Sequence, residues 1–225
     1  RYVRRWRKQL LGFGLGIVAT FGIMIIAQSL QPDKPVPALK YSGGMSVTWL
    51  PKAVQRFDSK INTMAKRYNI DANLVVLIMT FESGGYTRAD SGQARGLMQV
   101  TPYTGKDIAK KFVQTPREQF DLFDVDTSIE FGAAYLSYLR NEFCPDEREI
   151  SPTACAEIIA AGYNGGPGAA NSLMSGNGLK AEETVIYSRN VYNAYREKSA
   201  DQSPTYQRWY AAGGKRLIDS ALSEM

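Results

Sequence analysis

A single mostly α-helical domain behind one membrane-spanning helix is the arrangement this sequence predicts. Three observations carry it. Residues 10–30 form an uncharged, apolar run. Five basic residues, Arg1, Arg4, Arg5, Arg7 and Lys8, precede that run, and no acid appears before Asp33. Beyond it, apolar residues recur at helical spacing and alternating runs are few.

At about 1.5 Å per residue, a helix over 10–30 spans roughly 31 Å, about the thickness of a bilayer core. By the positive-inside rule the basic tail, residues 1–9, stays cytoplasmic and the rest is exported. A cleavable signal peptide is the alternative, with Ala27 and Ser29 as small residues before the cut. Its apolar core would be about 18 residues, beyond the usual ~7–15, which favours an uncleaved anchor. Residues 31–45 contain Pro32, Pro35 and Pro37 and read as an extended linker.

The globular domain is expected over 46–225, with its motifs between about 55 and 195. Residues 51–68 space Val54, Phe57, Ile61, Met64 and Ala65 for one helix. Asp71 can cap a second helix running to about Ser83. Thr101-Pro102 opens a short helix to about Phe112, and Asp126 or Thr127 starts another. Residues 153–163 and 181–198 give two more. From Thr205 a last helix follows, weakened at Gly213-Gly214.

Composition narrows the chemistry. The 225 residues are 44% apolar and 22% charged, as in a globular chain. Histidine is absent, which excludes a Ser-His-Asp triad, a Cys-His pair and any His-containing zinc site. Without the five N-terminal cations, basic and acidic residues balance, so the net charge of +5 marks a tail and not a nucleic-acid-binding face. Cys144 and Cys155 flank a polar loop. In an oxidising compartment two cysteines this close are expected to pair; two free thiols are the alternative.

Glu82 stands out as a catalytic candidate. It follows the almost wholly apolar run 74–81 and shares a helix face with Val75, Ile78 and Met79. Desolvation and the C-terminal end of the helix dipole both raise its pKa, which suits a general acid. Alternatively, Glu82 turns to solvent or pairs with Arg88 or Arg95.

The surrounding motifs are Glu82-Ser83-Gly84-Gly85, Ser91, Gly96-Leu97-Met98-Gln99, Ala161-Gly162-Tyr163-Asn164, and Glu183-Thr184 with Tyr187. In this order and spacing they resemble the soluble-type lytic transglycosylase catalytic domain, related to goose-type lysozyme. The resemblance implies a lysozyme-like fold, with Glu82 as acid and base. It implies substrate contacts from Ser91, Met98, Gln99, Tyr163, Asn164, Glu183 and Tyr187. Met98 and Tyr187 are also natural packing residues, Gln99 could bond backbone, and Glu183 could serve only as a helix N-terminal charge. Departures from the family pattern are Gly162 for Ala, Ser128 for Asn, Thr101 for Met and a loop one residue shorter between Ser91 and Gly96.

The resemblance further implies cleavage of peptidoglycan glycan strands between N-acetylmuramic acid and N-acetylglucosamine, giving a 1,6-anhydro product with no metal or cofactor. Combined with the anchor, it places the domain in the periplasm of a bacterium, tethered to the inner membrane by 10–30 and suited to opening the wall for a secretion or conjugation machine. A hydrolytic muramidase and a tethered peptidoglycan-binding assembly protein are the competing readings.

Overall fold

The computed structural model describes residues 39–145 and 150–225. The expected basic tail, membrane helix and first part of the linker lie outside these residues. Among the described residues no helix is long and apolar enough to cross a membrane.

Ten α-helices make up the described chain: α1 Lys52–Gln55, α2 Asp58–Tyr68, α3 Ala72–Ser83, α4 Pro102–Lys111, α5 Val125–Phe143, α6 Pro152–Gly165, α7 Pro167–Met174, α8 Glu182–Arg196, α9 Pro204–Trp209 and α10 Lys215–Leu222. A π-helical turn, Tyr210–Gly214, joins the last two, with a kink at Gly213. Five helices begin on side-chain caps from Asp71, Thr101, Asp124, Ser151 and Ser203, each accepting a hydrogen bond from the first turn.

α3 is the centre. Eleven of its twelve residues are buried; the exception is Glu82. A helix apolar all round must be enclosed, and α1, α2, α5 and α8 pack around it. Asp71 fixes its start by accepting from the Asn73 amide at 2.7 Å and from the Tyr195 hydroxyl of α8 at 2.5 Å.

Four expectations need correction. The linker does not extend to residue 45, because Leu39 is already buried and its carbonyl accepts from the Asp71 amide at 2.7 Å. The helix expected over 51–68 is broken at Arg56-Phe57, where Arg56 turns to bond the Gly85 carbonyl at 2.8 Å. α7 follows α6 directly, its Pro167 occupying the first helical turn where a missing N–H is harmless. The C-terminal stretch is two helices, not one weakened one.

Cys144 and Cys155 form a disulfide with 6.0 Å between Cα atoms, tying the end of α5 to the first turn of α6. On chain-entropy grounds, closing a loop of about a dozen residues is worth roughly 3 kcal/mol.

Candidate active site

Glu82 occupies the last turn of α3, just before Gly84 ends the helix in the left-handed conformation. Its carboxyl is enclosed by protein, yet part of the residue reaches solvent. Desolvation is the largest influence and pushes its pKa up from 4.5 to about 7. The negative charge of Glu183 pushes the same way, and the Tyr187 hydroxyl, close enough to support the carboxylate, pulls against it. That hydroxyl is buried without a partner in full hydrogen-bond geometry, so it acts on Glu82 as a near neighbour. Arg88 and Arg95 lie instead over the Phe123 ring, 5.9 Å from its centroid, and Arg95 approaches Asp90 at 3.7 Å. The alternative pairing of Glu82 with either arginine is not formed.

A tight turn, Gly96-Leu97-Met98-Gln99, is pinned beside the end of α3 by three helices. Ser83 of α3 donates to the Leu97 carbonyl at 2.7 Å. Ser128 of α5 accepts from the Met98 amide at 3.1 Å. Tyr163 of α6 donates to the Met98 carbonyl at 2.7 Å. Gly96 is required here: its φ is +74°, and a Cβ would sit 1.9 Å from the Leu122 carbonyl oxygen.

Gln99 closes the turn in the same left-handed region, at φ +44°. Its amide nitrogen donates to the Ala89 and Gly96 carbonyls at 2.9 and 3.0 Å, which offsets that strain. The side chain therefore braces backbone. Met98 is completely buried, so its side chain offers a sugar no surface and the substrate contact expected of it is corrected to packing.

Tyr163 and Tyr187 reach Glu82 from α6 and α8. Burial raises both phenols well above their usual pKa, and the charge of Glu82 raises them further, so both stay neutral donors. Asn164 is held by α8, its side-chain oxygen accepting from Thr184 at 2.7 Å. Thr184 also borders a cavity of about 320 Å³ lined by Gly165, Ala169, Ser172 and Lys180 among others. Glu183 is exposed in the first turn of α8. Ser91 is exposed too, and its hydroxyl accepts from the Ala94 amide at 3.0 Å within its own turn. The structure thus gathers Glu82, Tyr163, Tyr187 and Glu183 electrostatically, places Asn164 next to Tyr163, and leaves Ser91 on the loop beyond.

Two supporting residues were not anticipated as such. In the sequence Ser83 stands only as part of the Glu82-Ser83-Gly84-Gly85 motif at the end of its helix, and Ser128 only as a departure from Asn. Both hold the 96–99 turn. A buried serine beside a catalytic candidate is a signal for Ser83; nothing local marks Ser128. Gly162 is explained by crowding, since a Cβ there would lie 3.0 Å from Leu139 and 3.1 Å from Ala170.

The transglycosylase SLT domain family matches residues 59–186, more than half of the chain. The chain belongs to that family. Membrane-bound lytic murein transglycosylase C of Photorhabdus laumondii is 32% identical over 180 residues, covering 73% of this chain and 47% of its own length. Membrane-bound lytic murein transglycosylase E of Buchnera aphidicola is 30% identical over 154 residues, 62% of this chain and 69% of that protein. Among solved structures, an inactive mutant of the lytic transglycosylase Slt from Pseudomonas aeruginosa superposes with a TM-score of 0.50 at 26% identity, covering 65% of this chain and 25% of that one. The chain spans about half the length of the Photorhabdus relative.

Proposed function

We propose that this chain is a peptidoglycan lytic transglycosylase with Glu82 as both acid and base. The observation that carries the reading is Glu82 itself: the one residue of α3 outside the core, with its pKa near 7. Family membership and relatives named lytic murein transglycosylases support it.

Near neutral pH a substantial share of Glu82 is the carboxylic acid. It protonates the oxygen between N-acetylmuramic acid and N-acetylglucosamine, and that C1–O bond breaks. The sugar's own 2-acetamido group supports the positive charge at C1, which removes the need for a nucleophilic carboxylate. Glu82, now ionised, takes the proton of the muramic C6 hydroxyl, and that oxygen closes on C1. Glu82 ends protonated, the product is a 1,6-anhydro sugar, and no water is consumed. A group doing both steps works best with its pKa near the working pH. Tyr163 and Tyr187 stay neutral beside the carboxyl.

The hydrolytic reading is favoured by one feature, the charge of Glu183 felt at Glu82. A carboxylate there could activate water. Digestion of purified sacculi distinguishes the two. Mass spectrometry of the released muropeptides is expected to show products one water lighter than a muramidase gives, with no end reducible by borohydride. Dominant reducing ends would assign the hydrolase. Residues 10–30 would tether this activity to the inner membrane with the domain in the periplasm, a placement suited to local wall opening for an envelope machine. Sequencing a mature N-terminus near residue 30 would remove the tether.

A further inference from the structure

The turn that follows Glu82 is gripped from behind by two segments outside the family match at 59–186. The ring of Phe81, the residue before Glu82, meets the Trp209 ring edge-on with centroids 5.7 Å apart. α10 lies so close to Gly84 that a Cβ there would sit 2.9 Å from Ile218 and 3.2 Å from Leu217. Arg56 donates to the Gly85 carbonyl at 2.8 Å and to the Glu224 carboxylate at 2.7 Å. That carboxylate accepts from the Thr87 amide at 3.2 Å and from the Thr87 hydroxyl at 2.6 Å. Its side chain is only 19% exposed.

Glu82 stands in the last turn of a helix, where terminal residues fray most readily. Fraying would lift the carboxyl from its dry setting and change its distance from the sugar. The grip on residues 84–87 comes from α1 and the C-terminal arm: a Cβ at Gly85 would also sit 2.4 Å from the Ala53 carbonyl oxygen. A like turn left loose would open to water.

We propose that Glu224, joined to Arg56, is a positioning residue for Glu82, clamping the 83–87 turn so that the C-terminal arm is a working part of the active site. The proposal rests on the reading of Glu82 as acid and base. Glu224 touches no substrate and acts through Thr87 and Gly85. The charged and titratable groups facing Glu82 itself are Glu183 and Tyr187 of α8 and Tyr163 of α6. None contacts Glu224, so a change at Glu224 reaches Glu82 through the backbone.

The test uses the full-length chain in detergent, with anhydromuropeptide release measured against pH. Glu224→Ala is expected to lower kcat about 10- to 100-fold, the scale of a small misplacement of a catalytic group, with KM nearly unchanged. Its alkaline limb should move to lower pH, because a loosened turn hydrates Glu82. Glu224→Gln keeps an acceptor for Thr87 and should restore most of kcat. Tyr195→Phe removes a buried hydrogen bond at the other end of α3; it should lower Tm and leave the limb in place. If Glu224→Ala does not fold, Thr87→Val, which deletes a single hydroxyl, is read in the same way. A wild-type kcat and limb in Glu224→Ala, or a loss of kcat with the limb unmoved as in Tyr195→Phe, would overturn the clamp. Glu82→Gln is assayed alongside: activity surviving there removes the underlying reading, whereas an inactive Glu82→Gln with an unaffected Glu224→Ala removes only the clamp.

Discussion

Glu82 and Glu130 lie on α3 and α5, two helices that pack together, and both are withdrawn from water, yet they titrate in opposite directions. Desolvation is the largest influence on each and pushes both pKa values up. Glu130 then receives a hydrogen bond from Tyr68 at 2.8 Å and others from Arg117 at 2.9 Å and Arg67 at 3.3 Å. Those bonds and charges outweigh burial and hold its pKa below the ordinary carboxylate range. Glu82 has no cation beside it among its influences, only one tyrosine and a second acid. Burial makes a carboxyl sensitive, and its partners decide the sign. A glutamate furnished with arginines holds helices together; one denied them keeps a proton to give.

The largest effect expected from this contrast is on rate. Glu82→Gln keeps size and polarity but can neither give nor take a proton. Release of anhydromuropeptide should fall by about 10²–10⁴-fold or more, the usual range for losing a general acid–base group. Glu130→Gln, measured per folded molecule, should stay near wild type. Equal losses at the two positions would erase the distinction.

Stability against pH separates them next, and with opposite slopes. Glu82 has a folded pKa near 7 against 4.5, so the folded state binds more protons between these values and loses stability as pH rises through 7. Glu82→Gln should match wild type below pH 4.5 and become more stable above pH 7. The gain is at most about 3 kcal/mol, and less because part of Glu82 reaches solvent. Thermal melts at acid and alkaline pH would show it. A variant no more stable than wild type at alkaline pH would mean that Glu82 is not desolvated.

Glu130 should do the reverse. Its depressed folded pKa contributes stability above the unfolded value and loses it as pH falls through the folded one. Glu130→Gln should be destabilised by about 1–3 kcal/mol near neutral pH, the worth of hydrogen bonds to a charged group. The deficit should shrink in acid, where the wild type also loses its charge. A deficit constant with pH would assign Glu130 to packing alone.

Much of the Glu82 side of this contrast is legible in the sequence. An acid after eight residues of which seven are apolar has to meet both low dielectric and the negative end of a helix. The Glu130 side is not. Its partners Tyr68 and Arg67 stand over sixty residues earlier, and only the packing of α2 on α5 brings them together. The same limit explains the helix break at Arg56, set by a carbonyl 29 residues away. It explains Gln99 too, whose side chain is turned inward by a backbone conformation that local spacing does not reveal. α7 was hidden for a different reason: a Gly-Gly-Pro-Gly run reads as loop, although proline and glycine are both tolerated where one helix stops and another starts.

The smallest effect concerns the tyrosines. Each glutamate has one, and the two should respond differently to loss of a single hydroxyl. The Tyr68 hydroxyl donates to Glu130 and accepts from the Gln114 amide at 3.3 Å. Tyr68→Phe should lower stability by about 1 kcal/mol and leave the pH–rate profile in place. The Tyr187 hydroxyl holds no bond in good geometry, so Tyr187→Phe should barely change Tm. It does lend support to the ionised Glu82. Removing that support should raise the pKa of Glu82 further and carry the alkaline limb of the rate profile upward by about half to one pH unit, the equivalent of a weak hydrogen bond. Opposite readouts from one chemical change would locate proton chemistry at Glu82 and structure at Glu130. A Tyr187→Phe that lowers Tm and leaves the limb unmoved would make Tyr187 a packing aromatic, and the tuning of Glu82 would then fall to desolvation and Glu183 alone.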